Sequence, residues 1–313
     1  MAGVAVVPHL YDVKWSRDLN RVLTGEFGTV TPYRHDSYLP ARSLQHAWMA
    51  NALPVMRRDG YRVALFANLL EDWTPDIVKA TGVGSVVGIV HGSNFQASEP
   101  GATARLRTYE RAVAEGATVM VATHWLAEQL PYPTTVVGLP VLTARTTPRT
   151  GTDILWNHRL SSEKGVKELV ALPASIRARI VVTAPKFAAV SVPKVRAAIS
   201  RVYLGLPDAA YMGVVDGCGY GLSTSHYDNF GYSVADATMR GLCVFVPDTY
   251  ETAYRETMPA DLRYRDAADL AERIDHYDRH PDERAAVVTR AQDGFARFAP
   301  DRWLEAVRVV VTT

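Results

Sequence analysis

The sequence predicts an α/β protein of two successive domains, each built on a parallel β-sheet. Short β-branched apolar runs alternate with longer segments of helical period, the alternation stops once near the middle of the chain, and it then restarts. Near-continuous apolar runs are typical of strands covered on both faces, as in parallel sheets. A chain of 313 residues is also long enough for two domains of about 150 residues each.

The elements of the first half follow this doubly wound pattern in order. The runs that we interpret as strands begin at Val4, Arg62, Ser85 and Thr118. Candidate helices lie between them, for example over residues 41–53 and 103–115. Strands that alternate with helical segments predict βαβ units and a parallel sheet.

A threonine-rich stretch over residues 143–153, TARTTPRTGTD, interrupts the alternation. It contains almost no large apolar residue, which is the composition of a connector between domains. The strands predicted after it begin at Asp153, Ala178, Gly221 and Leu242. We therefore predict a first domain over residues 1–147, a second over residues 148–298, and a C-terminal helix over residues 299–313 that crosses back to the first domain.

Composition and charge narrow the class of protein. Hydrophobic residues make up 48% and charged residues 21% of the chain, which is ordinary for a globular protein and argues against disorder. Lysine and arginine total 34 against 33 acids, so contact with a nucleic acid would have to be local. The two cysteines, Cys218 and Cys243, suit the core of a cytoplasmic protein. The first apolar run is too short for a signal sequence or a membrane span, and we expect no membrane association.

Polar clusters follow several of the predicted strands, at the edge of a parallel sheet where ligands bind. The first cluster starts at His91 and includes Asn94, and another contains Arg159 and Lys164. The third consists of His226, Asp228 and Asn229. Loops are polar in most proteins, so each cluster taken alone also fits an ordinary surface.

Arg159 and Lys164 lie where a predicted strand ends and a helix begins. Two cations beside the free amides of a helix N-terminus suit a diphosphate, with the arginine bidentate and the lysine as a point charge. The alternative is a solvated helix start in which Glu163 pairs locally with a cation. The chain has no P-loop and no G-x-G-x-x-G element, so a nucleotide would have to be held in another way.

Asp228 and Asp236 have seven residues between them, including Phe230 and Gly231, ahead of a buried strand. Acids also occur in first helical turns because the helix dipole favours negative charge there, which is the alternative explanation. With a rise of about 1.5 Å per residue along the helix, one acid could reach a sugar and the other a nucleotide. Gly231 permits a close backbone approach to such a ligand.

The order of Arg159, Lys164, a strand and the element SxxDxFGxxxxDA resembles retaining glycosyltransferases of the GT-B fold, above all the large family of sucrose-synthase and mannosyltransferase relatives. The resemblance implies two Rossmann-like domains that face each other across a cleft. It also implies a UDP- or GDP-sugar donor, with no cofactor and no metal required. In the family, the arginine and the lysine clamp the diphosphate, the first acid faces the sugar hydroxyls and the second faces the ribose. By this resemblance, the donor-site residues are Arg159, Lys164, Ser225, Asp228, Phe230, Gly231, Tyr232 and Asp236.

The chain departs from the family in two ways. Both family glutamates are aspartates here, which shortens each reach by one methylene group. The family's glycine-rich loop after the first strand is replaced by PHLYDVKWS.

A narrower likeness concerns the acceptor. The string from Trp156 to Arg159 and the HGSNF loop at His91 resemble the tRNA-queuosine mannosyltransferase branch, and the chain also resembles phage enzymes that glycosylate nucleic-acid bases. The likeness implies that His91 acts beside the transferred sugar and that the acceptor is a hydroxylated base in DNA or tRNA. The predicted acceptor contacts are Arg34, Arg57, Arg58 and Asn94, in a region where arginines and aromatic residues interleave.

Three other functions fit the same residues. A glycosyltransferase acting on a small molecule or a glycan would explain the nearly neutral charge equally well. An epimerase on the same fold would also bind a nucleotide sugar. A degenerate relative could bind a nucleotide or a glycan without turnover, and the two shortened acids favour that alternative.

Overall fold

The computed structural model describes residues 3–7, 14–27, 58–67, 84–90, 109–185, 192–225, 227–248 and 253–313. The chain divides into two compact units. Unit 1 comprises Met1–Leu142 and Phe298–Thr313, and unit 2 comprises Thr143–Arg297.

Unit 1 contains a five-stranded parallel sheet with the strand order β1-β2-β3-β4-β5. Its strands are β1 Val4–Val7, β2 Val63–Phe66, β3 Ser85–Val90, β4 Thr118–Val121 and β5 Thr135–Val136. Two of its helices are α1 Lys14–Phe27 and α2 His124–Glu128. The buried faces of the central strands hold apolar side chains such as Leu65, Ile89 and Met120, which are inaccessible to solvent.

Unit 2 contains a second parallel sheet of six strands. They are β6 Asp153–Trp156, β7 Ile180–Ala184, β8 Arg201–Leu204, β9 Cys218–Leu222, β10 Cys243–Pro247 and β11 Arg263–Tyr264. Its α-helices are α3 Val166–Ala171, α4 Ala174–Arg177, α5 Val192–Ala198, α6 Asp208–Asp216, α7 Tyr232–Met239, α8 Tyr254–Thr257, α9 Ala267–Arg279 and α10 Pro281–Ala296. Short 3₁₀ turns cover Ser162–Lys164 and Ala260–Leu262.

The strand order in unit 2 is β11-β10-β9-β6-β7-β8. Counted from its own first strand, this is the doubly wound order 3-2-1-4-5-6 read from the other edge. The order reverses between β6 and β9, which pair in parallel, and ligands of open α/β sheets bind beyond the strand ends at such a switch point. The two-domain α/β fold expected from the sequence is confirmed.

The strand that we expected at Gly221 begins earlier, at Cys218, and it ends at Leu222. Its sequence CGYGL contains two glycines, which weaken the strand signal because glycine has no side chain to pack. A Cβ on Gly219 would lie 1.8 Å from the carbonyl oxygen of Gly151, so the glycine lets the two backbones touch beside a register shift. Residues 223–225 therefore follow the strand and belong to the loop at its carboxyl end.

The two units divide between Leu142 and Thr143, at the start of the threonine-rich connector. The threonine-rich connector is held against unit 2, since the Thr146 amide donates to the Met239 carbonyl at 2.9 Å. Arg145 Nε also donates to Gln292 Oε1 at 2.9 Å. These contacts involve polar side chains and backbone groups, so the apolar pattern of the sequence gave no sign of them.

The last helix, α11 Pro300–Thr312, belongs to unit 1. Trp303 is 1% exposed, and its Nε1 donates to the Gly138 carbonyl at 3.1 Å. Arg308 pairs with Glu26 of α1 at 2.8 Å. The amide of Val141 donates to the Phe298 carbonyl at 2.9 Å. Residues 298–313 thus help to build unit 1.

None of the helices in the described part of the chain combines the length and the apolar composition that a membrane crossing requires.

Candidate active site

Two loops of unit 2 meet at its switch point. One follows β6 and carries Lys164 in the 3₁₀ turn, and the other follows β9 and carries Asp228 ahead of α7. The strands β6 and β9 are neighbours in the sheet, so their carboxyl ends bring these loops together. The two polar clusters predicted from the sequence are therefore joined in one place.

Lys164 and Asp228 form the centre of the site. The ammonium group of Lys164 lies 3.2 Å from Asp228 Oδ2, 3.2 Å from Ser225 Oγ and 3.2 Å from the Tyr227 carbonyl oxygen. The lysine and aspartate side chains are 15% and 14% exposed. A largely desolvated ion pair of this kind interacts more strongly than a surface pair, because water screens it less.

Further donors surround the Asp228 carboxylate. The Gly231 amide donates to Oδ1 at 2.7 Å, and the Tyr254 hydroxyl donates to Oδ2 at 3.0 Å. Since the carboxylate can only accept, the Ser223 hydroxyl donates in turn to the Tyr254 oxygen at 2.9 Å. Tyr254 is fully buried, and burial raises the pKa of its phenol, so it remains a neutral donor.

Electrostatics keep Asp228 ionised. Burial by itself raises the pKa of a carboxyl group, but the charge of Lys164 and the hydrogen bonds from Lys164 and the Gly231 amide outweigh burial and hold the pKa of Asp228 below its ordinary value. The site therefore presents a fixed carboxylate next to a fixed ammonium group at neutral pH. Such a pair can accept bonds from sugar hydroxyls on one side and attract phosphate on the other.

A close backbone contact holds the two loops together. Gly165 has a positive φ of 69°, and a Cβ at this position would lie 1.8 Å from the Thr224 carbonyl oxygen. The Thr224 hydroxyl donates to the Lys164 carbonyl at 2.8 Å and accepts a bond from Trp156 Nε1 at 3.0 Å. Trp156 is itself fully buried at the end of β6. The packing of β6 thus helps to fix the position of Lys164 relative to Asp228.

His158 lies beneath this cluster and is 6% exposed. Its Nδ1 is 3.1 Å from Ser233 Oγ, and its ring packs edge-on against Trp156 with centroids 5.1 Å apart. Its Nε2 is buried without a hydrogen-bond partner among the described residues. Burial, helped by the charge of Lys164, lowers the pKa of His158 to about 3, so the ring is neutral.

The Asp236 carboxylate, the second acid of the motif, is 3% exposed. Arg240 Nε donates to its Oδ2 at 3.1 Å, and the Thr143 hydroxyl donates to its Oδ1. The Tyr211 hydroxyl lies 3.5 Å from Oδ2 and also accepts a bond from Asn157 Nδ2 at 3.1 Å. Asp236 therefore ties α7 to the start of unit 2, in addition to any contact with a ligand.

Comparison with known proteins identifies the fold. No family model matches the chain, and no curated protein sequence matches it. Among solved structures, the sucrose-phosphate synthase of Thermosynechococcus elongatus superposes with a TM-score of 0.72 at 15% identity, covering 98% of this chain and 96% of that one. HepE of Anabaena in complex with UDP gives a TM-score of 0.68 at 13% identity, covering 100% of both chains. The fold is GT-B.

A further GT-B structure, TarM, gives a TM-score of 0.61 at 12% identity. The match covers 80% of this chain and 55% of TarM, so this chain spans about half of TarM's length. At these identities, the likeness establishes the fold alone.

Within this GT-B fold, the remaining residues predicted for the donor site lie as follows. Arg159 is half exposed and pairs with Glu163 at 3.0 Å, which is the local pairing that we considered as the alternative. The ring of Phe230 is 3% exposed and packs edge-on against Phe295 of α10, so its side chain anchors the loop in the core of unit 2. Gly231 has a φ of 73° and precedes Tyr232, the first residue of α7.

Most of the residues predicted for the acceptor side lie in parts of the chain that the structure does not describe. His91, Asn94, Arg34 and Arg57 lie outside the described residues. Arg58 is described, and it forms an exposed ion pair with its neighbour Asp59 at 2.7 Å.

Sequence reasoning missed several residues of the site. Tyr254, Ser223 and Thr224 hold the two loops in place, although none of them lies in a recognisable motif. His158 is part of the string from Trp156 to Arg159, which by itself indicates no role for the ring. The spacing in the sequence does indicate its burial. His158 follows Trp156 by two residues at the end of a strand, and side chains two residues apart in extended backbone point to the same face.

The neutral, buried state of His158 predicts acid sensitivity. The unfolded chain binds a proton at this histidine below about pH 6.5, whereas the folded chain does so only near pH 3, so stability is lost as the pH falls through this window. We expect the free energy of unfolding to drop by about 2 kcal/mol between about pH 6.5 and pH 5 because of this group alone. Denaturant titrations of wild type and His158→Asn at both pH values measure the difference.

The asparagine variant keeps a polar atom near the position of Nδ1 but does not titrate. It should therefore lose much less stability than wild type on acidification. The variant His124→Asn, at an exposed histidine of α2, serves as the control and should behave like wild type. An equal acid loss in His158→Asn and wild type would show that other groups cause it.

Proposed function

We propose that this protein is a glycosyltransferase that takes its sugar from a nucleotide-sugar donor. The observation that carries the proposal is the buried Lys164–Asp228 pair at the switch point of a doubly wound sheet, beside the N-terminal end of α7. This arrangement offers a positive charge for a diphosphate and a carboxylate for sugar hydroxyls within one cluster. The similar structures support the donor class, since HepE was solved with UDP-glucose and TarM with UDP.

In the proposed reaction, Lys164 and Arg159 stabilise the departing nucleoside diphosphate. Arg159 would exchange its partner Glu163 for a phosphate, which its half-exposed side chain permits. An acceptor hydroxyl oxygen forms a bond to the anomeric carbon while the bond from that carbon to the phosphate oxygen breaks. The hydroxyl proton passes to the phosphate oxygen that leaves. Positioning and charge stabilisation would supply the rate enhancement, and we propose that Lys164 and Arg159 meet the diphosphate charge without a metal.

The roles of the carboxylates and the stereochemistry follow the resemblance to retaining enzymes. Asp228 would face the sugar hydroxyls, because its network already fixes the carboxylate at the centre of the site. Asp236 would reach the ribose while it keeps its bond to Arg240. We propose that the anomeric configuration is retained.

The acceptor proposed from the sequence is a hydroxylated base in DNA or tRNA. Support for it rests on the string from Trp156 to Arg159 and on the arginines of unit 1, and the three similar structures add none. A glycan or a small molecule is the competing acceptor, and it would explain the near balance of 34 basic and 33 acidic residues equally well.

A release assay tests the function. The protein is incubated with UDP- and GDP-sugars, and free UDP or GDP is measured with and without acceptors from each class. We expect release with one nucleotide family, acceleration by the true acceptor, persistence in EDTA, and loss in Asp228→Asn. Nuclear magnetic resonance of the product reports whether the anomeric configuration is retained.

The other outcomes separate the competing functions. Conversion of the sugar without release of nucleoside diphosphate would indicate an epimerase. Calorimetric binding of UDP without any release would indicate a degenerate binding module. Neither binding nor release would overturn the proposal.

A further inference from the structure

A second cluster of metal-ligating side chains lies in unit 2, outside the Lys164–Asp228 site. His276, His280 and Glu283 each offer one potential ligand atom, and these atoms all lie within 4.8 Å of one another. None of the three residues takes part in the proposed transfer reaction. We propose that this cluster is a binding site for a divalent transition metal, with zinc as the metal that fits its donors.

The joint between two helices creates the cluster. α9 ends at Arg279 and α10 begins at Pro281, so His280 alone connects them. His276 lies in the last turn of α9, and His280 caps that turn four residues later, with its ring stacked on that of His276. Because a single residue joins the two helices, Glu283 in the first turn of α10 lies next to His276. Its Oε2 lies 2.9 Å from His276 Nε2.

The hydrogen bonding of His280 prepares it as a ligand. Its Nδ1 lies 2.8 Å from the His276 carbonyl oxygen, and a carbonyl can only accept, so Nδ1 carries the proton. The lone pair of a neutral ring is then on Nε2, which is the atom left for a metal. Metal-bound histidines in proteins commonly donate their other ring N–H to a carbonyl in this way, which fixes the tautomer and the ring orientation.

The geometry of the two rings favours chelation further. The rings of His276 and His280 stack with centroids 4.4 Å apart and an interplanar angle of 26°. Both histidines and Glu283 are at least partly open to solvent, so an ion can enter without unfolding. Two imidazoles and one carboxylate are a donor set that zinc takes in proteins, with water at the fourth tetrahedral position. A bound ion would join the end of α9 to the start of α10.

Titration of tag-free, EDTA-treated protein with zinc chloride tests the site by calorimetry. We expect one ion per chain and an affinity that falls by at least about tenfold in His276→Ala and in His280→Ala, because each removes a ligand. Cobalt serves as a spectroscopic probe, since binding to such a site should give visible absorption that zinc then displaces. His124→Ala, at an exposed histidine of unit 1, is the matched control and should bind as wild type does.

Two further measurements sharpen the result. Glu283→Gln, which keeps the size of the side chain, should weaken binding less than either histidine variant while removing the carboxylate ligand. Zinc should raise the unfolding temperature of wild type in a concentration-dependent manner, and this shift should vanish in His280→Ala. Zinc binding that is unchanged in both histidine variants, or undetectable at millimolar concentrations, would overturn the proposal.

Discussion

Replacing Lys164 with alanine is expected to lower the rate of sugar transfer about a hundredfold, on the order of 3 kcal/mol. The ammonium group makes three contacts at 3.2 Å and would meet the phosphate charge that develops as the donor bond breaks. Steady-state kinetics with the nucleotide sugar identified by the release assay measure the effect. Lys167→Ala is the matched control, because this neighbouring lysine is exposed and should leave turnover unchanged.

The lysine also has a structural effect that must be separated from its effect on transfer. Without Lys164, the Asp228 carboxylate loses its counter-charge, so the alanine variant should unfold more easily than wild type. In the double variant Lys164→Ala with Asp228→Asn, the unpaired charge is removed and stability should recover. Activity should not recover in the double variant. Recovery of both would show that the pair only stabilises the fold.

The second large effect concerns Gly165. We expect Gly165→Ala to lower the free energy of unfolding of unit 2 by about 2–5 kcal/mol, because the left-handed backbone costs about 1–2 kcal/mol and overpacking costs about 1–3 kcal/mol. The added Cβ would lie 1.8 Å from the backbone oxygen of Thr224, which cannot turn aside as a flexible side chain could. Denaturant unfolding followed by circular dichroism gives the difference.

A second glycine gives the opposite expectation and serves as the control. Gly213 lies inside helix α6, and a Cβ there would have no neighbour within 4 Å. Gly213→Ala should therefore stabilise unit 2 by roughly 0.5–1 kcal/mol. If Gly165→Ala were as stable as wild type, the two loops would not be held by the backbone contact. A fall in nucleotide affinity that accompanies the loss of stability would tie this contact to the position of Lys164.

The alternation of apolar runs and helical segments was enough to predict the fold class, because a strand buried on both faces consists of consecutive apolar residues that are visible in the sequence. The runs at Ile154, Ile180 and Val244 lie in strands whose residues are almost all buried. The pattern failed where local signals are weak. Strand β8 has one arginine and one tyrosine among its four residues, and β9 has two glycines. Neither sequence therefore looks like a continuous run of buried apolar side chains.

Some residues of the site could likewise be predicted from the sequence, whereas others could not. Lys164 and Asp228 could be predicted because charged residues after strands are visible in the sequence, and the topology then brings the strand ends together. Tyr254 could not be predicted as a site residue, since it reaches Asp228 from a helix that is distant in sequence. The local pairing of Arg159 with Glu163 was foreseen as an alternative, and the structure contains it.

The division of the chain bears on the order in which the protein can fold during synthesis. Unit 2 is one continuous segment, Thr143–Arg297, whereas unit 1 needs residues from both sides of it. The ring of Phe298 lies against Gly138, and Trp303 is buried in unit 1, so this core stays open until the segment after unit 2 has been made. The unit that begins first is thus completed only after all of unit 2 has been translated.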